Sequence, residues 1–158
     1  MRTIDTVTIR APLDRVFALA RDIERWPEIL PHYRWVRMLE RRPDGGRVEM
    51  AAWRPFGPAP LRYPTWWVSE MWVEPDGGQP VIRYRHIAGI TAGMDVRWVL
   101  TAAPEGGGVV AVEIVHQWSG PAWPLIGSLA ARLVIGPVFV HGIASRTLAG
   151  IRATAEAA

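Results

Sequence analysis

The stretch ERWPEILPHY, residues Glu24–Tyr33, decides the fold. Pro27 and Pro31 cannot both sit inside one regular helix, because each removes a backbone donor and its ring collides with the preceding turn. Yet the segment joins two clearly patterned runs. Before it, LDRVFALARDI (Leu13–Ile23) spaces Leu13, Val16, Phe17 and Ala20 three and four residues apart, which is one apolar face of a helix. After it, YRWVRMLE (Tyr33–Glu40) alternates as a strand does. The broken, Trp- and Tyr-bearing segment is read as an elbow of two short helices that plugs one end of a curved sheet.

Working outward, TIDTVTIRAP (Thr3–Pro12) alternates with Asp5, Val7 and Ile9 on one face, and Pro12 then opens a helix. Downstream, strands are expected at about 32–42, 46–54, 61–74, 79–89, 92–103 and 109–118. RPDGG (Arg42–Gly46), RPFGPAP (Arg54–Pro60), EPDGGQP (Glu74–Pro80) and PEGGG (Pro104–Gly108) supply the turns, and the break at AGITAG (Ala88–Gly93) is softer. Six strands with short connections form an antiparallel meander. The tail from Gly120 onward is helical, and Gly136-Pro137 should kink or divide it. The expected fold is α+β, one domain over residues 1–158. It is a seven-stranded curved antiparallel sheet around a long C-terminal helix, with two short helices after the first strand.

Composition narrows the function. With 49% hydrophobic and 21% charged residues the chain is globular, and without cysteine it has no disulfides, thiolate chemistry or zinc–thiolate site. All 18 basic residues are arginine and they are scattered, so no nucleic-acid-binding face is expected. The start lacks the apolar core of a signal peptide, and a cytoplasmic location is expected. The four histidines show no metal-ligand spacing, and no phosphate loop or dinucleotide fingerprint is present, so neither a metal nor a cofactor is expected. Nine tryptophans suggest a ligand-lined hollow, the alternative being indoles at the rim and surface. Pro121–Val140 is long enough for a membrane span. Its central Arg132 and three prolines favour an apolar helix roofing a cavity. Transient contact with a membrane surface and a homodimer stay open.

Ala11-Pro12, Val16-Phe17, Asp22-Ile23, Trp26-Pro27 and Tyr33, with SRTLAGIRATAE (Ser145–Glu156) in the last helix, carry a family resemblance. The chain resembles the polyketide cyclase/dehydrase branch of the START-like (SRPBCC), helix-grip superfamily over essentially its whole length. That resemblance implies a cavity between sheet and C-terminal helix holding a hydrophobic, polycyclic or polyketide-like small molecule. It implies either aldol cyclisation and dehydration of that molecule, or a non-catalytic lipid or quinone carrier of the coenzyme Q-binding START type.

Strand phase supplies the candidate ligand-binding wall. Trp67, Ser69 and Met71 share the inward phase of the fourth strand, against Trp66, Val68, Glu70 and Trp72 outward. Met94 and Trp98 of the sixth strand, and Ile114 and His116 of the last, also face inward. Trp26 and Leu30 of the elbow, with Val138 and His141 of the terminal segment, complete the set. Arg54 shares a phase with Val48, Met50 and Ala52 and so faces the cavity mouth, unless the strand ends before Pro55 and turns it outward. His116 is read either as a hydrogen-bonded wall residue or as a catalyst, whereas His32 and His86 are read as structural. Arg54, Tyr33 and His116 are the candidate catalytic groups. The sequence is similar to tetracenomycin-type aromatase/cyclases in that Trp26 and Tyr33 match pocket positions and Trp67 and Trp98 match wall aromatics. It departs where those cyclases carry a fourth-strand arginine, a position that here is Met71.

Overall fold

The computed structural model describes residues 1–55, 62–76, 79–104, 108–120 and 140–157. The element order is β1 (Arg2–Ile9), α1 (Leu13–Arg21), a 3-10 turn (Ile23–Arg25), α2 (Trp26–Ile29), β2 (Tyr33–Arg42), β3 (Gly45–Pro55), β4 (Arg62–Asp76), β5 (Gln79–Gly89), β6 (Asp95–Ala102), β7 (Val110–Gln117) and α3 (His141–Glu156). The seven strands form one antiparallel sheet in the order β1-β7-β6-β5-β4-β3-β2. Consecutive strands β1 and β2 therefore lie at opposite edges. The helical segment between them must cross the inner face, and α3 packs beside it against β1, β3 and α1. This is the α+β architecture expected from the sequence.

The elbow divides where its prolines require. Pro27 occupies the first turn of α2, where a missing donor costs nothing, and Leu30 N closes that turn on Trp26 O at 2.7 Å. Trp26 and Leu30 are buried, and Trp26 Nε1 donates to Leu19 O at 3.0 Å, tying the elbow back to α1. Helix α3 approaches so closely that a Cβ at Gly150 would lie 2.2 Å from Leu30 Cδ2. The elbow thus wedges between α3 and the sheet.

The tryptophans divide between the two faces. Trp26, Trp67, Trp98 and Trp118 are buried, whereas Trp66 on the outer face is 42% exposed and donates to Glu49 at 2.7 Å. A bulge between Tyr33 and Trp35 leaves Arg34 unpaired in the ladder. Its guanidinium lies 4.7 Å from the Trp35 ring and 4.5 Å from the Trp53 ring, an outer cation–π stack. The indoles are thus shared between the interior and the outer surface. Pro121–Pro137, Val138 and Phe139 lie outside the described residues, so the roofing helix and its division at Gly136-Pro137 do too. Among the described residues no helix is long and apolar enough to cross a membrane.

The β5–β6 turn is longer than the sequence reading allows, since β6 begins at Asp95 and not near residue 92, and Gly89 adopts φ +93°. A Cβ at Gly89 would meet Trp66 O at 2.4 Å, while one at Gly108, also at positive φ, would meet nothing. Gly89→Ala should therefore cost about 3 kcal/mol from strain plus collision, and Gly108→Ala about 1 kcal/mol from conformation alone. Urea unfolding of the two variants checks the ordering.

Candidate functional site

The inner face of the sheet is organised in rows set by strand register. Met50 pairs with Trp67, and Ile82, Trp98 and Ile114 form a row across β5, β6 and β7. A neighbouring row runs Met71, Tyr84, Val96, His116. Facing these rows, the elbow brings Trp26 to 5.6 Å from Trp98 and 5.1 Å from Tyr33, and Tyr33 stands 6.3 Å from Trp67. Helix α3 closes the other side with Ile143, Ala144 and Thr147. A cavity of about 70 Å³ remains within about 570 Å³ of unfilled space that reaches the open mouth. It is a slot, well under the ~300–1,000 Å³ typical of small-molecule pockets.

Polar groups are few and their states are set by burial. Arg54 is 4% exposed and lines the slot; burial lowers its pKa to about 10, with the tyrosines Tyr63 and Tyr33 opposing, so it stays cationic at neutral pH. Tyr33 is raised to about 12 by burial, against a hydrogen bond with Thr147 and the nearby Arg54 charge, and remains a phenol. Thr147 Oγ1 donates to Ile143 O at 2.9 Å and lies 3.0 Å from His32 Nε2. His116 is lowered to about 4 by burial. His86 is lowered to about 3 by burial, then by His116 and Arg54, and is stacked at 18° on Trp67 with Nδ1 2.7 Å from Thr91 Oγ1. Three neutral imidazoles, two phenols and one guanidinium therefore surround or support an aromatic slot. No group of three or more potential metal ligands occurs among the described residues.

Of the residues singled out from the sequence, the slot brings together Arg54, Tyr33, His116, Trp26, Trp67, Met94, Trp98 and Ile114. The strand does not end before Arg54, since β3 continues to Pro55 and Arg54 pairs with Tyr63. Leu30 and Ser69 are buried but do not line the slot, and Met71 faces a separate cleft beside Phe17, Met38 and Gly45. His141 is also elsewhere. Its side chain is 62% exposed in a groove between β1 and α3, where Nδ1 meets the buried Asp5 carboxylate, whose pKa burial raises. Val138 lies outside the described residues. The sequence reading missed Tyr84, Thr91 and Thr147, and it treated His86 as structural. Alternation of Ile82, Tyr84 and His86 against Arg83 and Arg85 was the available signal for two of them. Thr91 sits in a turn and had no periodic signal.

A family model described as polyketide cyclase/dehydrase and lipid transport matches residues 2–156. A protein of Streptomyces halstedii named "Putative polyketide cyclase" is 32% identical over 104 residues, 66% of this chain and 91% of that one. The Zhui aromatase/cyclase from Streptomyces sp. R1128 superposes with a TM-score of 0.76 at 21% identity, covering 99% of this chain and 93% of that structure. A START superfamily protein from Mycobacterium smegmatis gives 0.73 at 13% identity, covering 99% and 97%. At those identities the structural likeness concerns the fold.

The buried imidazoles make stability depend on pH. His32, lowered to about 4 by burial and then by Arg146, behaves as His116 and His86 do. Their folded-state pKa values lie below the ordinary 6.5, so the unfolded chain takes up these protons first. Their contribution is complete above about pH 6.5 and is lost as pH falls through about 4 for His32 and His116 and about 3 for His86. Urea midpoints should hold steady from pH 8 to 7 and decline steadily from pH 6.5 to 4. The double variant His32→Gln, His116→Gln should flatten that decline.

Proposed function

The chain belongs to the polyketide cyclase/dehydrase and lipid transport family, and from that membership we propose that its slot binds a flat, oxygen-bearing hydrophobic molecule and promotes its aldol cyclisation and dehydration. The observation that carries this reading is the convergence of Arg54, Tyr33 and His116 on one slot walled by Trp26, Trp67 and Trp98. Flat indole faces favour an unsaturated guest and restrict how a flexible chain can fold, which brings reacting carbons together.

The chemistry follows from the protonation states. A neutral imidazole takes a proton from a methylene carbon of the guest, and the resulting enolate carbon bonds to a second carbonyl carbon. That carbonyl oxygen becomes an alkoxide, which the Arg54 charge stabilises and the Tyr33 phenol protonates. Loss of a second proton from the same methylene carbon, and of the new hydroxyl as water, completes the dehydration. An imidazole whose conjugate acid has a pKa of about 4 is a weak base. It suffices only for an acidic methylene flanked by two carbonyls, which is why a poly-β-ketone is the substrate class favoured here.

A second reading, a lipid or quinone carrier without catalysis, is favoured by Met71, which stands where the resembling cyclases carry their arginine and lies outside the slot wall. One pair of measurements separates the two. Under the catalytic reading, Arg54→Gln should lower turnover of a synthetic linear triketone about 100-fold, followed by mass spectrometry, while changing its affinity little. Absent turnover in the unmodified protein, together with a co-purifying isoprenoid or fatty acyl species in native mass spectra, would establish the carrier.

A further inference from the structure

Among the described residues, two deeply buried polar atoms of the slot wall find no hydrogen-bond partner. Tyr84 Oη and His116 Nδ1 belong to side chains that are 3% and 9% exposed, and both side chains line the slot. They are not scattered. Tyr84 pairs with Val96, and Val96 with His116, so both stand in one register row across β5, β6 and β7. One strand further, Thr3 pairs with His116 and its hydroxyl is likewise unmatched. Buried donors and acceptors are matched in the great majority of cases, because each unmatched one forfeits its hydration without return. A row of them beside a cavity marks a place where something else supplies the partner.

The row's chemistry limits what that partner is. Tyr84 is held as a phenol, its pKa raised well above the ordinary value by burial and then by Tyr33. His116 is held as a neutral imidazole by burial. Neither brings a charge, so neither favours an ionised guest at this edge. The strands are about 4.8 Å apart, which sets the two backbones about 10 Å from one another with Val96 between them. Tyr84 reaches in as a donor, and His116 Nδ1 donates or accepts according to tautomer. The Val96 surface between them suits the apolar body of a ring.

We propose that Tyr84 and His116 are the polar edge of the slot, holding two oxygen functions on separate carbons of one flat, neutral ring. This rests on the reading of the slot as a small-molecule site and adds the guest's substitution pattern to it. The guest matches both atoms at once.

The wall tryptophans report binding directly through fluorescence quenching, and naphthalene, 1-naphthol and 1,3-dihydroxynaphthalene serve as probes. Affinity should rise about tenfold with each hydroxyl. Tyr84→Phe should remove one of these steps while leaving naphthalene unchanged, and it should raise the Tm of the empty protein by about 2–4 °C, since an unmatched hydroxyl is deleted. His116→Leu should remove the other step, and His116→Asn, whose amide can occupy the Nδ1 position, should restore it. Equal binding of the three probes, or a full affinity ladder in Tyr84→Phe, would overturn the proposal and leave the slot reading standing. So would a lowered Tm in Tyr84→Phe, which would show that the hydroxyl serves the fold. Failure of every probe to bind would overturn this proposal and the small-molecule reading together.

Discussion

Trp26 is the contact on which the inner half of this protein depends. Its indole is buried, its Nε1 is satisfied by Leu19 O at 3.0 Å, and its ring packs on Tyr33 and Trp98. The first of these ties it to α1, the second to the start of β2, and the third to the middle of the sheet. Because β1 and β2 are opposite edges, the chain between them must cross the concave face somewhere. Trp26 fixes where. Its bulk holds the helical layer off the strands on one side while sealing the gap on the other, and the slot is what remains.

The same burial that makes the slot also sets its chemistry. Desolvation is the leading cause of every shift among Arg54, Tyr33, Tyr84, His86 and His116. It keeps phenols protonated and imidazoles neutral, and it leaves the guanidinium as the one charged group among the described walls. A developing negative charge near Arg54 therefore meets a fixed cation in a poorly screened setting. The polar edge proposed for Tyr84 and His116 would provide hydrogen bonds without charge. One slot thus offers two kinds of recognition, each placed by strand register.

Much of this was legible in the sequence because strands of period two carry their own address. The inward set Met94, Val96, Trp98, Leu100 and the set Val110, Val112, Ile114, His116 are buried as their alternation required. The outward assignment of Trp66 and Trp72 also holds, since Glu70 and Glu74 lie on their face and Trp72 Nε1 reaches Glu74. Legibility failed where period two stopped. Met71 keeps the inward phase and is buried, yet it lines another cleft, beside Phe17, Met38 and Gly45. His141 follows the helix period, but its position at the first residue of α3 puts it against Asp5 on β1, at the sheet's edge. Phase names a face; curvature decides which part of that face encloses anything.

The small volume of the slot bears on selectivity. A slot of about 70 Å³ is close to filled, so any ring that enters must displace side chains from contacts they already make. A plain hydrocarbon regains those contacts and little more, and it leaves Tyr84 Oη and His116 Nδ1 as unmatched as before. A guest carrying oxygens at the right edge regains the contacts and also ends a cost the empty protein bears. Sites with buried hydrogen-bonding groups reject analogues that lack the partner far more strongly than apolar pockets reject a missing methylene. On the proposed polar edge, discrimination resides in the two polar atoms, while the indoles supply the attraction and the flat shape.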